Sequence, residues 1–293
     1  MLKYSKCLLF ADDLKIFKSI TAIQDIQNLQ LDLRALVDWS VLNSLPLNIK
    51  KRKVVTFTRT RNPIPALYNI QGEQLEQVHT IRDLGVLMDG KLGHSQHLQK
   101  MVAKARQNAG LIKRFSHDLK KSSTLRILYQ TLGRPHLDSA SIIWDSFTKT
   151  ETKTLESIQK RFLRFLYYKD FTYYDLSVTY TELVSGYEMD TLEMRRKLCS
   201  MKFLYKILPG KIDSPCLLSK INIYVPPRIG RTKGLFSIAR ARTNLLSNSP
   251  LEKMMVLYNT LTGLNSEIDI FFDSEREFEK KIKQALKHKH IYA

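Results

Sequence analysis

The chain has 293 residues, 43% hydrophobic and 26% charged, a globular composition with room for one large domain or two to three small ones. Its 47 Lys and Arg against 28 Asp and Glu give a net charge of +19 and a pI near 9.8, a field that favours polyanions, nucleic acid above all. No segment approaches the roughly 18 apolar residues of a membrane span, no lipidation motif appears, and the opening residues are too few and too polar for a secretory leader. A membrane partner and secretion are therefore not expected; a nuclear or cytoplasmic location is. Cys7, Cys199 and Cys216 are odd in number and widely spaced, without a CxxC or Cys/His pattern, so reduced thiols are expected rather than disulfides or zinc. His94 and His97 lack acidic or Cys companions at useful spacing and read as surface or groove residues.

The first predicted element is a hairpin. Apolar Cys7–Phe10 and alternating Leu14–Phe17 flank Ala11-Asp12-Asp13, which places two adjacent carboxylates at a tight turn. At about 5 Å and an effective dielectric of about 20, two such charges repel by roughly 3 kcal/mol, and a divalent cation would reverse that sign. The plain alternative is an ordinary solvated Asp-Asp turn. Thr21 then opens a helix, with Gln24 three residues on in a capping-box pattern and Ile23, Ile26, Leu29, Leu33, Leu36 and Val37 as its core face to about Trp39. Beyond Pro46, Lys53–Arg59 reads as a β-branched strand, Pro63 and Pro65 mark a loop, and short strands follow near Leu67–Ile70 and Gln77-Val78 with Gly72 turning between them. A strand from Ile81 to Met88 closes at Asp89-Gly90.

From about Ser95 the pattern turns helical: Gln96–His117, Ser122–Trp144 and Glu151–Tyr168, then through Leu208, and a final pair ending in Phe278–Leu286. Residues 96–170 hold fifteen Lys and Arg against six Asp and Glu, a net of +9, interleaved with Phe115, Tyr129, Phe162, Phe165, Tyr167 and Tyr168. Basic helices with aromatics suit a groove that tracks phosphates and stacks bases, and equally a solvated helical surface over an aromatic core. The stretch 225–233 is a basic Pro/Arg loop and 287–290 a basic tail.

Read in order, these segments resemble the reverse transcriptases of retrotransposons without long terminal repeats, the jockey-like elements in particular. Phe10-Ala11-Asp12-Asp13 is similar to the metal-binding hairpin of that family. Leu47-Asn48-Ile49-Lys50-Lys51 before Lys53–Phe57 is similar to the motif that follows it, and Arg82-Asp83-Leu84-Gly85-Val86 to the primer-grip hairpin. Leu128-Tyr129, Arg134-Pro135, Ser141–Trp144, Leu155-Glu156, Gln159–Phe162, Arg242–Asn244 and Ser249-Pro250 extend the likeness over nearly the whole chain.

The resemblance implies an α+β fold: the C-terminal part of a polymerase palm over 1–94 (hairpin, helix, short antiparallel strands), a basic helical thumb over 95–170 and a helical C-terminal region over 171–293. It implies Asp12 and Asp13 as catalytic ligands of Mg²⁺ in two-metal nucleotidyl transfer. It implies Lys51 near the incoming triphosphate, where the alternative is a solvated member of a lysine run. Leu84 and Gly85 would lie against the primer end, and Lys100, Lys104, Arg106, Lys113 and Arg114 would contact the phosphates of an RNA template and DNA primer. The family also uses a third carboxylate and fingers residues that lie before this hairpin, and only nine residues precede Phe10 here. The chain therefore reads as a truncated reverse transcriptase, expected not to polymerise DNA by itself and to have an unpaired strand edge. Two other readings stay open: a non-catalytic nucleic-acid-binding protein built on the basic helices, and a poorly folded remnant. Endonuclease motifs are missing, and Glu267, Asp269 and Asp273 read as a solvated face rather than a ribonuclease H cluster.

Overall fold

A computed structural model describes residues 2–48, 51–119, 121–145, 148–225 and 234–291, with the side chains of 288–291 left aside. The fold is mixed α+β, and the chain divides into two compact units, Met1–Gln96 and His97–Ala293. Most of the basic loop, 226–233, and Ile49 and Lys50 of the lysine run lie outside the described residues.

In the first unit, β1 (Lys6–Phe10) and β2 (Asp13–Phe17) form the expected antiparallel hairpin, with Phe10 opposite Asp13 and Ala11 at φ +50°. Every residue of β1 is exposed, with Leu8, Leu9 and Phe10 at 60%, 71% and 62%, and among the described residues its other edge pairs with no strand.

Helix α1 (Ile23–Leu42) starts two residues after Thr21 and is capped differently from the sequence pattern. It is the Asp25 carboxylate, not Gln24, that reaches back to the Thr21 amide and hydroxyl and the Ala22 amide. Leu33 packs on Tyr68 and Ile70, with Ile26, Leu29, Val37, Ile16 and Val54 around them. Gln30 fixes the neighbouring strand by bonding both the amide and the carbonyl of Asn69.

The remaining strands are shorter than the sequence pattern predicts. The strand expected over Lys53–Arg59 shrinks to β3 (Lys53–Val54), which pairs with β6 (Glu76–Gln77) in parallel, against the expected antiparallel pairing. β4 (Asn69–Ile70) and β5 (Glu73–Gln74) turn at Gln71-Gly72, both at positive φ. The strand expected from Ile81 to Met88 is instead a hairpin, β7 (Thr80–Asp83) and β8 (Val86–Asp89), as the family resemblance implies. Gly90 is held by close packing, since a Cβ there would sit 2.8 Å from the Thr56 carbonyl oxygen.

The second unit is helical: α2 (Ser95–Phe115), which begins just before the division, then α3 (Ser122–Leu128), α4 (Pro135–Asp138), α5 (Ser141–Trp144), α6 (Lys149–Phe171), α7 (Tyr180–Gly186), α8 (Leu192–Ile207), α9 (Pro215–Leu218), α10 (Asn244–Ser247), α11 (Pro250–Leu264) and α12 (Glu275–Ile291). The single helix expected over Ser122–Trp144 is broken by a π-turn at Tyr129–Gly133 and by Ala140 at φ +52°. Gly133 lies so close to the Tyr129 ring that a Cβ would approach it to 2.9 Å, and the ring stacks on Phe162 at 4.3 Å.

The boundary expected near residue 170 has no counterpart in the packing. Phe162, Leu163 and Leu166 of α6 share one core with Leu183, Val184 and Met189, and Leu192 shares another with Leu98, Met101 and Leu155. A third core joins α8, α11 and α12 around Met201, Leu204, Tyr258, Leu261, Phe278 and Ile282. His94 and His97 are buried, against expectation, His97 lying edge-on to Trp144 at 6.0 Å. The three cysteines are free and exposed. Asp273 is not solvated either: it pairs with Lys281 and accepts the Asp269 amide, closing a turn.

Buried Asp32 of α1 ties down the N-terminal segment by accepting the amides of Lys3 and Tyr4 at 2.8 and 2.9 Å. Burial pushes its pKa up, but these bonds, with those from Ser5, outweigh burial and hold it below the usual 3.8. A lowered folded pKa contributes stability above the ordinary value, lost as the pH falls through the lowered one. Asp32→Asn should therefore destabilise the first unit by about 1–3 kcal/mol at neutral pH. Thermal unfolding followed from about pH 6 to about pH 3 should lose less stability in this variant than in the parent.

Candidate metal hairpin and nucleic-acid surface

Asp12 occupies the turn between β1 and β2, Asp13 is the first residue of β2, and both are exposed. Alternation along the strand then sets Lys15, two residues after Asp13, on the same face of the hairpin as that carboxylate. Lys15 forms an ion pair with Asp83 at the end of β7. One lysine thus joins the Asp-Asp hairpin to the hairpin that carries Leu84 and Gly85.

The second hairpin turns in two residues, with Leu84 at φ +44° and Gly85 at φ +90°. Left-handed conformations at both positions match the twist of the flanking strands, which is why a two-residue loop of this kind closes a hairpin well. Gly85 is explained by this angle and not by crowding, since a Cβ built on it meets nothing within 4 Å. Leu84 is 55% exposed in the same strained region, an unusual place for a branched apolar side chain.

The other predicted residues of this unit are not gathered in the same way. Lys51 is exposed, its amide bonded to the Asn48 carbonyl at 3.3 Å, and no contact joins it to Asp12 or Asp13 among the described residues. Nor does a third carboxylate come to the pair: among the described residues no three His, Cys, Asp or Glu side chains cluster as metal ligands. Two exposed carboxylates do not by themselves fit a two-ion centre.

In the second unit the five predicted phosphate contacts, Lys100, Lys104, Arg106, Lys113 and Arg114, all lie on the exposed side of α2, opposite Leu98, Met101, Val102, Ala105, Ala109 and Ile112. They do not form a single stripe. Lys100 and Lys104, four residues apart, share one flank, and Arg106 and Lys113, seven apart, share the other. The Lys113 ammonium lies 5.1 Å over the Phe165 ring of α6; this partial burial, with Arg161 nearby, lowers its pKa.

Ion pairing separates the helices of this unit. Each Lys and Arg of α8 has a carboxylate partner: Arg195 with Asp138, Arg196 with Asp145, Lys197 with Glu193, Lys202 with Glu279 and Lys206 with Glu275. Helix α2 has no acidic residue, and none of the Lys or Arg in α2 or α6 is in an ion pair among the described residues. The carboxylates of α6 are engaged otherwise. Glu151 caps its own helix, Glu156 accepts the Leu192 and Glu193 amides, and Asp170 accepts the Tyr187 hydroxyl. Unneutralised positive charge therefore collects on α2 and α6.

The aromatics predicted to interleave with these charges divide in two. Tyr129 and Phe162 are core, while Phe115 and Tyr168 are exposed. Tyr173 and Tyr174, just beyond α6, are exposed too; no periodicity marks them, and the aromatic density of 167–174 was the only signal available.

Comparison with protein-family models, with curated proteins and with solved structures finds no match to this chain. Among the described residues no helix is long and apolar enough to cross a membrane.

The turn geometry makes a paired prediction. Leu84→Asn, giving an Asn-Gly turn, should raise stability by about 0.5–1 kcal/mol, and Gly85→Ala should lower it by about 1–2 kcal/mol. Urea unfolding of both variants checks the sign, and two shifts in the same direction would remove this account of the turn.

Proposed function

We propose that this chain is the palm-end, thumb and C-terminal portion of a reverse transcriptase of a retrotransposon without long terminal repeats. Its own activity, in this reading, is binding RNA or DNA inside the cell, nuclear or cytoplasmic, rather than polymerisation. The observation that carries the reading is the Lys15–Asp83 ion pair, which couples two hairpins that resemble the family's metal hairpin and primer grip within one unit. Mg²⁺ would meet Asp12 and Asp13 weakly in this reading, since among the described residues no third carboxylate gathers beside them. Primer extension with purified protein, Mg²⁺ and a primed RNA template should give no template-dependent incorporation, and clear incorporation would overturn the inactive part of the reading.

A second reading, a non-catalytic nucleic-acid-binding protein, is favoured by the unpaired cations on α2 and α6. It predicts affinity that falls by about 10³–10⁵ between 50 and 200 mM salt if six to ten phosphates are contacted. Replacing Lys100, Lys104, Arg106, Lys113 and Arg114 by Ala should reduce the log–log salt slope by about 4.5 on duplex DNA, at roughly 0.9 per lost phosphate contact. A nearly flat salt response of the parent would remove both the thumb assignment and this alternative.

A further inference from the structure

The end of α6 presents aromatic rings to solvent. Thr172 caps the helix in the left-handed conformation, at φ +64°, and turns the chain back on itself. Tyr174 thereby returns over Tyr168, the two rings stacked at 4.6 Å and 13°. Tyr173 comes back edge-on to Phe171 and Tyr167. Tyr168, Phe171, Tyr173 and Tyr174 are 40%, 51%, 55% and 61% exposed, so these rings pack on one another and leave much of their surface in water. Exposed aromatics normally scatter singly, and a contiguous group marks an interaction site.

The charge beside this patch indicates the partner. Arg161, Arg164, Tyr168 and Phe171 recur at steps of three and four along α6, one continuous face about 15 Å long that is cationic at one end and aromatic at the other. Neither arginine has a carboxylate partner among the described residues, and the Nε of Arg164 is buried with no hydrogen bond. Lys169, on the same helix, reaches the Ser116 carbonyl at 2.8 Å, which brings the end of α2, with Lys113 and Arg114, beside this part of α6. The carboxylates of the patch are occupied: Asp170 accepts the Tyr187 hydroxyl, and Asp175 accepts the amide and hydroxyl of Ser177.

We propose that this face binds single-stranded nucleic acid, with unpaired bases stacking on Tyr168, Tyr174, Phe171 and Tyr173 and the adjoining phosphates held by Arg161 and Arg164. Cations alone would serve duplex and single strand alike. Accessible ring faces next to unpaired arginines select bases that are free to stack, whatever their sequence. The inference rests on the nucleic-acid reading above and adds to it the strandedness of the ligand and the place where bases lie.

The test uses the full chain and fluorescence anisotropy with a labelled mixed-sequence 12-nucleotide RNA and the blunt duplex of the same sequence. The double variant Tyr168→Ala/Tyr174→Ala should weaken single-strand binding by about tenfold or more, with the salt slope and the duplex affinity unchanged. Tyr168→Phe/Tyr174→Phe, which keeps the ring faces, should bind as the parent does. Single-strand and duplex affinities that fall together, or do not change, in the alanine variant overturn the platform while leaving phosphate binding in place. A parent that binds neither RNA overturns the nucleic-acid reading as well. Unchanged single-strand binding, with self-association of the parent in sedimentation that the alanine variant abolishes, would assign the patch to protein docking and overturn the proposal.

Discussion

Helix α8 begins where one carboxylate gathers three donors: Glu156 of α6 accepts the amides of Leu192 and Glu193 and the hydroxyl of Tyr180. Helix N-termini leave amides without partners inside the helix, and an acceptor brought from another element satisfies them while complementing the positive end of the dipole. Gln159, one turn further along α6 and fully buried, donates to the Asp190 carbonyl and the same tyrosine. From that anchored start α8 packs against α4, α5, α6, α11 and α12 and supplies residues to two of the three cores of the second unit. Several residues that carry the family resemblance in this unit are architectural: buried Gln159, Phe162 and Tyr129 and half-buried Glu156 place helices.

The central position of α8 accounts for the distribution of charge. A helix flanked on several sides holds its ammonium and guanidinium groups in half-buried surroundings, where an unpaired charge is costly, and each one has a carboxylate beside it. Helices α2 and α6 keep one side in water, which solvates unpaired cations at little cost. The same constraint that neutralises the middle of the unit therefore leaves its basic excess on two outer faces. That division follows from packing, and it leaves two faces of positive potential on the unit.

What was legible in the sequence was whatever depended on near neighbours. The Asp-Asp hairpin, α1 and the long helices α2, α6 and α12 follow from alternation and from the spacing of Ile, Leu and Phe. Features decided by contacts distant in the chain were not legible. The strand expected at Lys53–Arg59 is cut to two residues, paired with the equally short Glu76–Gln77 more than twenty positions away. The helix expected over Ser122–Trp144 breaks where the Tyr129 ring turns inward onto Phe162, close against Gly133, and where Ala140 takes a left-handed angle with no local sequence mark. His97 looks like a surface residue until Trp144 covers it. At the candidate site, the Asp12-Asp13 turn and the Leu84-Gly85 turn could be read from residue type, while the ion pair that joins their hairpins spans 68 positions and could not (Lys15 to Asp83).

The open edge of β1 bears on how this molecule survives in solution. A strand that shows Leu8, Leu9 and Phe10 to water, beside an edge with no strand partner among the described residues, is a template for adding further strands. Molecules carrying +19 charges repel one another, and that long-range barrier keeps such edges apart while ionic strength is low. A polyanion held by those charges would discharge the barrier. Colloidal stability would then be tied to occupancy: the bare form kept apart by its own charge, the neutralised form the one prone to condense.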